Sequence, residues 1–186
     1  MRVNAKTLPK LREYARSGRV VVFDTETTGG TRDDEICQIA AVEYVNGVQT
    51  RTLSLYICPT CEMNPWAERV HGLSLDFLFE HGIEPEEAMR RFFEFIGEDL
   101  LLVAHNSAFD LRMLSQECGK FGLCFSPERV ETCDSLALAR HALPHLKSHA
   151  LGYLIDYLGI EGTNSHDALD DTLACAGLFF RLIGET

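Results

Sequence analysis

The chain has 186 residues, a length that predicts one domain over residues 1–186. Its formal net charge of −11 disfavours a stand-alone nucleic-acid-binding protein, which normally has a basic surface. The charge is compatible with a nucleic-acid enzyme whose acidic site is neutralised by metal ions. Seven cysteines without a disulfide-like framework, no apolar signal core in Met1–Lys6 and no run of about 18 apolar residues predict a cytoplasmic protein without a membrane span.

The first part of the chain predicts a short helix and a three-stranded antiparallel meander. Asn46-Gly47 favours a two-residue type I′ turn, because both residues accept positive φ angles. After this turn, apolar and polar residues alternate as in a half-buried strand. The predicted helix covers Leu8–Ala15, and the predicted strands cover Val20–Thr25, Glu35–Tyr44 and Thr50–Ile57.

The second part alternates helices and short apolar strands. Pro85 stands at the favoured first position of a predicted helix. Three strands joined by hairpins and followed by this alternation predict an α/β or α+β domain with one mixed sheet. Helices are predicted over Pro65–Val70, Leu73–His81, from Pro85 onward, and over Phe109–Cys118, Asp134–His141, His149–Leu158 and Asp167–Ile183, with strands over Leu100–Ala104 and Val130–Cys133.

Two carboxylates interrupt the end of the first apolar strand. Side chains alternate along a strand, so Asp24 and Glu26 point to the same side. Two like charges at a buried strand end are costly unless a cation neutralises them. The alternative is a strand that runs out into solvent, since the D-x-E pattern is short and common.

The last helix carries two adjacent acids, of which one is expected to face a buried site. Asp171 heads a helical stripe that continues through Cys175, Leu178 and Leu182. Asp170 begins the neighbouring stripe and is explained as a surface acid near a helix N-terminus. The periodicity therefore selects Asp171.

Two further residues have both a structural and a functional interpretation. Asp110 lies in the first turn of a predicted helix, where an acid is stabilising by itself and where Asn106 or Ser107 would provide the cap. His166 would lie about 140° from Asp171 on a continuous helix. It shares a site with Asp171 only if it belongs to the preceding loop, and otherwise it is an exposed histidine beside acids.

Four motifs in order resemble those of the DEDDh, or DnaQ-like, 3′→5′ exonucleases. They are Phe-Asp-Thr-Glu-Thr-Thr-Gly at 23–29, Arg-Val-His-Gly at 69–72, His-Asn-x-x-Phe-Asp at 105–110, and His166 followed by Asp171. The likeness spans about residues 20–180 and looks closest to the epsilon subunit of bacterial DNA polymerase III and the exonuclease domain of PolC-type polymerases. It implies a single exonuclease domain, with its motif-bearing core at about 20–183, and a ribonuclease H-like fold with a five-stranded mixed sheet and helices on both faces.

The resemblance also implies a chemistry. Asp24, Glu26, Asp110 and Asp171 would hold two divalent ions, Mg²⁺ with Mn²⁺ as a substitute, and His166 would take the proton of the attacking water. The implied substrate is a single-stranded DNA 3′ end, from which nucleoside 5′-monophosphates are released in proofreading or repair, and a DNA polymerase is the implied partner. The implied substrate-binding residues are Thr27, Thr28, His71, Gly72, Asn106 and Phe109.

Three alternatives remain open at this point. An RNA 3′-trimming exonuclease, like ribonuclease T or oligoribonuclease, shares the motifs, although Thr25 and the Thr27-Thr28-Gly29 triplet favour the DNA group. A thiol oxidoreductase would use Cys58 and Cys61 and ignore the acids. A non-catalytic binding module has no need for the complete set of acids.

The densest cationic segment, 140–149, is either a solvated loop or a guide for a nucleic-acid strand.

Overall fold

The structure is a computed structural model that describes residues 7–123, 125 and 130–185, so Met1–Lys6 and their predicted lack of a signal core lie outside it. Within the described residues, five strands and eight helices are formed. The strands are β1 (Arg19–Thr27), β2 (Ile36–Val45), β3 (Val48–Tyr56), β4 (Leu101–Ala104) and β5 (Glu131–Asp134). The helices are α1 (Leu8–Ser17), α2 (Pro65–His71), α3 (Leu75–His81), α4 (Pro85–Ile96), α5 (Ala108–Lys120), α6 (Ser135–Ala142), α7 (Leu151–Leu158) and α8 (Ala168–Glu185).

One mixed sheet organises the molecule, with the strand order β3-β2-β1-β4-β5. The first three strands form the antiparallel meander, and β1 also pairs in parallel with β4, which pairs in parallel with β5. Asn46 and Gly47 have φ angles of 54° and 77°, which confirms the predicted turn between β2 and β3. The five-stranded mixed sheet of the ribonuclease H-like fold is therefore confirmed.

Helices cover both faces of the sheet. Side chains of α1, α6, α7 and α8 pack with Val20 and Val22 on one face. Side chains of α4 and α5 pack with Val21 and Phe23 on the other. The alternation of β1 thus sends successive residues into two cores, as expected for a strand buried on both sides. A smaller cluster around Cys37 and Leu78 lies under α2 and α3.

Several predicted boundaries are wrong, for identifiable reasons. β1 runs two residues beyond Thr25, because Glu26 is aligned with Gln38 of β2 and Thr27 with Ile36. α5 ends at Lys120 rather than Cys118, so Gly119 lies inside the helix, where a Cβ would meet nothing within 4 Å. α3 begins at Leu75 rather than Leu73, since the Ser74 hydroxyl accepts the N–H of Phe77 and caps the helix.

The later helices also begin one or two residues after their predicted starts. Asp134 is the N-cap of α6, where its carboxylate accepts the N–H of Leu136. Asp167 precedes α8, and its carboxylate accepts the N–H groups of Leu169 and Asp170. α7 begins at Leu151 rather than His149. Ser107, one of the two predicted alternatives, is the N-cap residue of α5, but its side chain makes no capping hydrogen bond.

In the described part of the chain, no helix combines the length and the apolar character that crossing a membrane requires.

Candidate active site

The predicted metal acids and His166 meet in one cleft at the carboxyl end of β1. Asp24 and Glu26 come from β1, Asp110 from the first turn of α5, Asp171 from the first turn of α8, and His166 from the loop before α8. These five residues line a cleft of about 200 Å³, together with Thr25, His105, Asn106, Phe109, Leu151 and Asn164. The carboxyl ends of parallel strands are where ligands bind in open α/β sheets.

The fold buries Asp110 and Asp171 and leaves Asp24 and Glu26 half-buried. Asp24 sits in the centre of the sheet, opposite Ala40 of β2. Asp110 is 3% exposed and heads the buried stripe of α5 that continues with Met113 and Leu114. Asp171 is 5% exposed and heads the buried stripe of α8, as its periodicity predicts. The cleft therefore concentrates negative charge where water solvates it poorly.

Burial and mutual repulsion raise the pKa of these carboxyl groups. Burial, followed by the charges of Asp110, Glu26 and Asp171, raises the pKa of Asp24 well above its usual range. Burial and then Asp171 and Asp110 raise the pKa of Glu26 to about 8. In each case the ionised form is disfavoured unless a cation joins the cluster.

Neutral hydrogen-bond donors oppose the rise in pKa at Asp110 and Asp171. Burial raises the pKa of Asp110, while the Thr25 hydroxyl donates a 2.7 Å hydrogen bond to its Oδ1 and favours the anion. Burial also raises the pKa of Asp171, and His166 and Asn164 oppose the rise. The Asn164 amide donates to Asp171 Oδ2 at 2.5 Å.

One carboxylate oxygen of the cleft, Asp171 Oδ1, has no hydrogen-bond partner. Among the buried side-chain oxygen and nitrogen atoms of the described residues, only Asp171 Oδ1 and Glu117 Oε2 make no hydrogen bond. Glu26, His166 and Asp171 offer ligand atoms that all lie within 4.8 Å of one another. An unpartnered buried oxygen within a group of oxygen donors of raised pKa fits a hard divalent cation.

His166 lies in the loop before α8, as its shared site with Asp171 requires. The residue is exposed and has a φ of 57°, a left-handed conformation that places it at a turn. Asp167 follows and accepts a 2.9 Å hydrogen bond from the Gln38 amide of β2. Gln38 Oε1 in turn accepts the N–H of Ala168. The two bonds fix the start of α8 to the sheet, next to the imidazole.

A second cavity, of about 230 Å³, adjoins the carboxylates on the side of α2. It shares Thr25, Glu26 and Phe109 with the cleft and is further lined by Thr27, Gly29, Gly30, Asn64, Trp66, Ala67, Val70 and His71. His71 Nδ1 accepts the N–H of Leu73 at 3.0 Å, so its Nε2 is the donor toward the Thr27 carbonyl at 3.3 Å. Burial lowers the pKa of His71, which agrees with this neutral tautomer.

The predicted substrate-binding residues divide into two groups. Thr27, His71, Asn106 and Phe109 line the cleft or the second cavity. Thr28 and Gly72 are not among the described residues that line either one. The Thr28 hydroxyl accepts the N–H of Glu35, and Gly72 ends α2 in the left-handed conformation.

A family model described as Exonuclease, of the RNase T type, matches residues 21–179. The chain belongs to this exonuclease family. The match confirms the resemblance to DnaQ-like exonucleases that the motifs predict. A nuclease of this family is a hydrolase that depends on divalent metal ions.

Curated relatives of the exonuclease chain include long polymerases. This chain is 29% identical over 172 residues to DNA polymerase III PolC-type of Caldanaerobacter subterraneus subsp. tengcongensis. It is 31% identical over 164 residues to the enzyme of the same name from Staphylococcus aureus. The alignments cover 92% and 88% of this chain but only 12% and 11% of the polymerases. The chain therefore spans about an eighth or less of the length of these relatives.

Solved exonucleases share the fold. Exonuclease X in complex with 5′-overhanging duplex DNA superposes with a TM-score of 0.71 at 23% identity, covering 89% of this chain and 91% of that one. E. coli exonuclease I in complex with a dA16 oligonucleotide gives a TM-score of 0.78 at 20% identity, covering 90% of this chain and 42% of that one.

The alternative thiol site lies apart from the acids of the exonuclease. Cys58 and Cys61 are free thiols that line neither the cleft nor the second cavity. Burial raises the pKa of both thiols, and the nearby Glu35 adds to the rise. A reactive cysteine needs a lowered pKa, so this arrangement disfavours thiol chemistry.

Sequence reasoning missed three residues of the site. Thr25 and Asn164 donate to the buried carboxylates, and Trp66 lines the second cavity with 70% of its surface exposed. A buried carboxylate requires a donor, but the chain does not state which residue supplies it. The exposed tryptophan was available as a signal, since large aromatic residues at a surface often bind ligands.

Proposed function

We propose that this chain is a metal-dependent 3′→5′ exonuclease that removes nucleoside 5′-monophosphates from the 3′ ends of single-stranded DNA, in proofreading or repair. The convergence of Asp24, Glu26, Asp110 and Asp171, with an unpartnered Asp171 oxygen, carries the proposal. Four carboxylates match the charge of two Mg²⁺, and Mn²⁺ prefers the same oxygen donors. Such ions, when bound, polarise phosphoryl oxygens and neutralise developing charge.

The remaining steps belong to side chains of this protein. The second cavity takes the terminal nucleoside, with Phe109 and Trp66 as apolar walls and the Thr27 backbone beside the sugar. His166 accepts the proton of the attacking water as its oxygen bonds to phosphorus. The bond from phosphorus to the 3′-oxygen of the preceding nucleotide breaks, and that oxygen takes a proton from solvent.

The relatives support a DNA substrate. PolC-type enzymes are DNA polymerases by name, and the solved exonucleases with this fold include complexes with DNA. By analogy, the chain would act on DNA ends next to a polymerase. An RNA 3′ end is the alternative substrate, because the same four acids serve either nucleic acid.

The test is digestion of 5′-labelled single-stranded DNA and of RNA of the same sequence, with Mg²⁺ or with EDTA. The proposal expects a ladder of progressively shorter labelled DNA, no product in EDTA, and a loss of several orders of magnitude for Asp24→Ala. Immediate release of a short labelled fragment would show that digestion starts at the 5′ end and would contradict the proposed direction. Full activity in EDTA would exclude the metal mechanism, and a ladder with RNA alone would favour the alternative.

A further inference from the structure

A third cleft adjoins the catalytic cleft and shares no lining residue with the second cavity. Its volume is about 630 Å³, and we name it the upstream cleft. The residues that line it are His105, Asn106, Leu136, Arg140, Lys147, Ser148, His149, Ala150 and Leu151. We propose that the upstream cleft binds backbone phosphates of the substrate strand on the 5′ side of the scissile bond. This inference rests on the proposed function and names how that substrate is held.

The upstream cleft is continuous with the catalytic cleft. His105, Asn106 and Leu151 line both of them. Thr25, Glu26 and Phe109 are likewise shared between the catalytic cleft and the second cavity. The three spaces therefore form one groove with the carboxylates in the middle. A strand whose terminal nucleoside fills the second cavity would continue across the acids into the upstream cleft.

The charge of the upstream cleft is opposite to that of the catalytic cleft. Arg140 and Lys147 are exposed, and neither forms an ion pair with any residue that the structure describes. No carboxylate lines the cleft among the described residues. Asp134 contacts two residues of the cleft from outside it, since its Oδ1 accepts the N–H groups of Asn106 and Leu136.

Many other cations of the chain already have acidic partners. Ion pairs are formed by Lys10, Arg19, Arg51, Arg90, Arg91 and Lys120. In a chain of net charge −11, unpaired cations that line a groove are an efficient place to attract phosphates.

Internal hydrogen bonds hold the loop that carries Lys147. The His149 ring lies 2.9 Å from the Leu143 carbonyl through Nε2, and His105 Nε2 lies 3.0 Å from the His149 carbonyl. The Ser148 hydroxyl accepts the N–H of Ala150. α7 follows with no acid in its first turn and no side-chain cap, so the positive end of its dipole adds to the two cations.

The test compares substrates that reach the upstream cleft with one that does not. The double variant Arg140→Gln/Lys147→Gln is assayed on an oligonucleotide of roughly ten residues and on a dinucleotide, whose single phosphodiester occupies the catalytic cleft. KM for the oligonucleotide is expected to rise about 10–100-fold, as for the loss of two solvent-exposed phosphate contacts that contribute about 3–10-fold each. The kcat/KM for the dinucleotide is expected to stay unchanged.

A direct binding measurement accompanies the kinetics. Fluorescence anisotropy of a labelled oligonucleotide, at a series of salt concentrations without metal, gives the slope of log affinity against log salt. The double variant should lower the magnitude of this slope by about 1.4, since each single-strand phosphate contact contributes about 0.7. Arg90→Gln/Arg91→Gln removes the same charge from the exposed face of α4 and should change neither measurement.

The outcomes separate this inference from the proposed function. If wild-type protein hydrolyses no substrate, the proposed function fails while anisotropy still tests the cleft. If wild-type protein hydrolyses the oligonucleotide but the double variant has the same KM and the same salt slope, the upstream cleft is refuted. Equal losses with the α4 control would also refute it, because the effect would then follow net charge rather than position.

Discussion

Asp171 and Asp170 are neighbours on α8 in different surroundings. Asp171 is buried with one unpartnered oxygen in the cleft, whereas Asp170 is exposed and accepts hydrogen bonds from Thr163 and Ser165. Asp171→Asn should lower kcat by more than about 100-fold, beyond the usual cost of losing a residue that only supports a metal ligand. Asp170→Asn should keep nearly the parent rate. Steady-state kinetics of the two variants are the check, and similar losses would contradict this division of roles.

The geometry is compatible with two roles for His166, that of a general base and that of a metal ligand. It lies among the ligand atoms of Glu26 and Asp171, and it is the exposed imidazole of the cleft. As a general base it would contribute about 10²–10⁴-fold to the rate, so His166→Ala should lower kcat by that factor. Isothermal titration with Mg²⁺ should give an unchanged affinity. A parallel loss of metal affinity would make His166 a ligand instead.

At the scale of secondary-structure elements, a buried acid joins β1, β2 and β3. Glu43 of β2 accepts hydrogen bonds from Arg51 of β3 and Arg19 of β1. Arg19 also donates to the backbone carbonyls that end α4, those of Phe95 and Ile96. The Arg51 bond, followed by those of Thr50 and Arg19, lowers the pKa of Glu43 to about 2.

This pKa gives the pH dependence of the contribution of Glu43 to stability. Because the folded pKa lies below the usual 4.5, the contribution is present above about pH 4.5 and is lost as the pH falls toward 2. Glu43→Gln should lower the free energy of unfolding by about 2–3 kcal/mol at neutral pH, with a difference that vanishes in acid. Urea unfolding at both ends of that range is the measurement.

The matched control for this element is an exposed ion pair. Glu86 pairs with Arg90 across one turn of α4, with both side chains about half exposed. Glu86→Gln should cost no more than about 0.5 kcal/mol, as exposed pairs do. An equal cost for Glu43→Gln would show that its buried network stabilises the sheet no more than a surface pair.

For the whole molecule, local patterns predicted the mixed sheet and the choice of Asp171 over Asp170 because each depends on short-range rules, whereas the set of four acids came from the family resemblance. The Asn46-Gly47 turn, the alternation of β1 and the stripe headed by Asp171 are confirmed where a residue's neighbours in sequence decide its environment. The positions of Trp66 and Asn164 were not predictable in this way. They depend on how the loops before α2 and α8 fold back on β1, which is a long-range arrangement.

The same limit applies to the groove. The cationic segment 140–149 was open to two interpretations, a solvated loop or a strand guide, since composition does not specify where a loop lies. The fold places Arg140 and Lys147 in the upstream cleft, next to the catalytic cleft, and the hydrogen bonds of His105 and His149 hold the loop there. Tertiary hydrogen bonds, rather than local propensity, decide that location.

Charge in the catalytic cleft links metal binding to the stability of the whole domain. Without metal, Glu26 has a folded pKa of about 8 against a usual 4.5, so folded protein retains protons that unfolded protein releases. The sign of this linkage is opposite to that of Glu43. Stability is highest below about pH 4.5 with respect to Glu26 and is lost as the pH rises through 8. Burial, with the charges of neighbouring acids, raises the pKa of Asp24 and Asp110 and adds in the same direction.

Mg²⁺ should therefore stabilise the domain more at pH 8 than at pH 5. At a concentration of about 100 times its Kd, one bound ion adds about 2.7 kcal/mol to the free energy of unfolding. Thermal unfolding in EDTA and in Mg²⁺, at both pH values, measures the effect. Glu26→Gln should raise Tm in EDTA at pH 8 and reduce the gain from Mg²⁺, whereas Glu62→Gln, at an exposed acid outside the cleft, should change neither. An equal Mg²⁺ gain in the two variants would show that the ion binds elsewhere on the acidic surface.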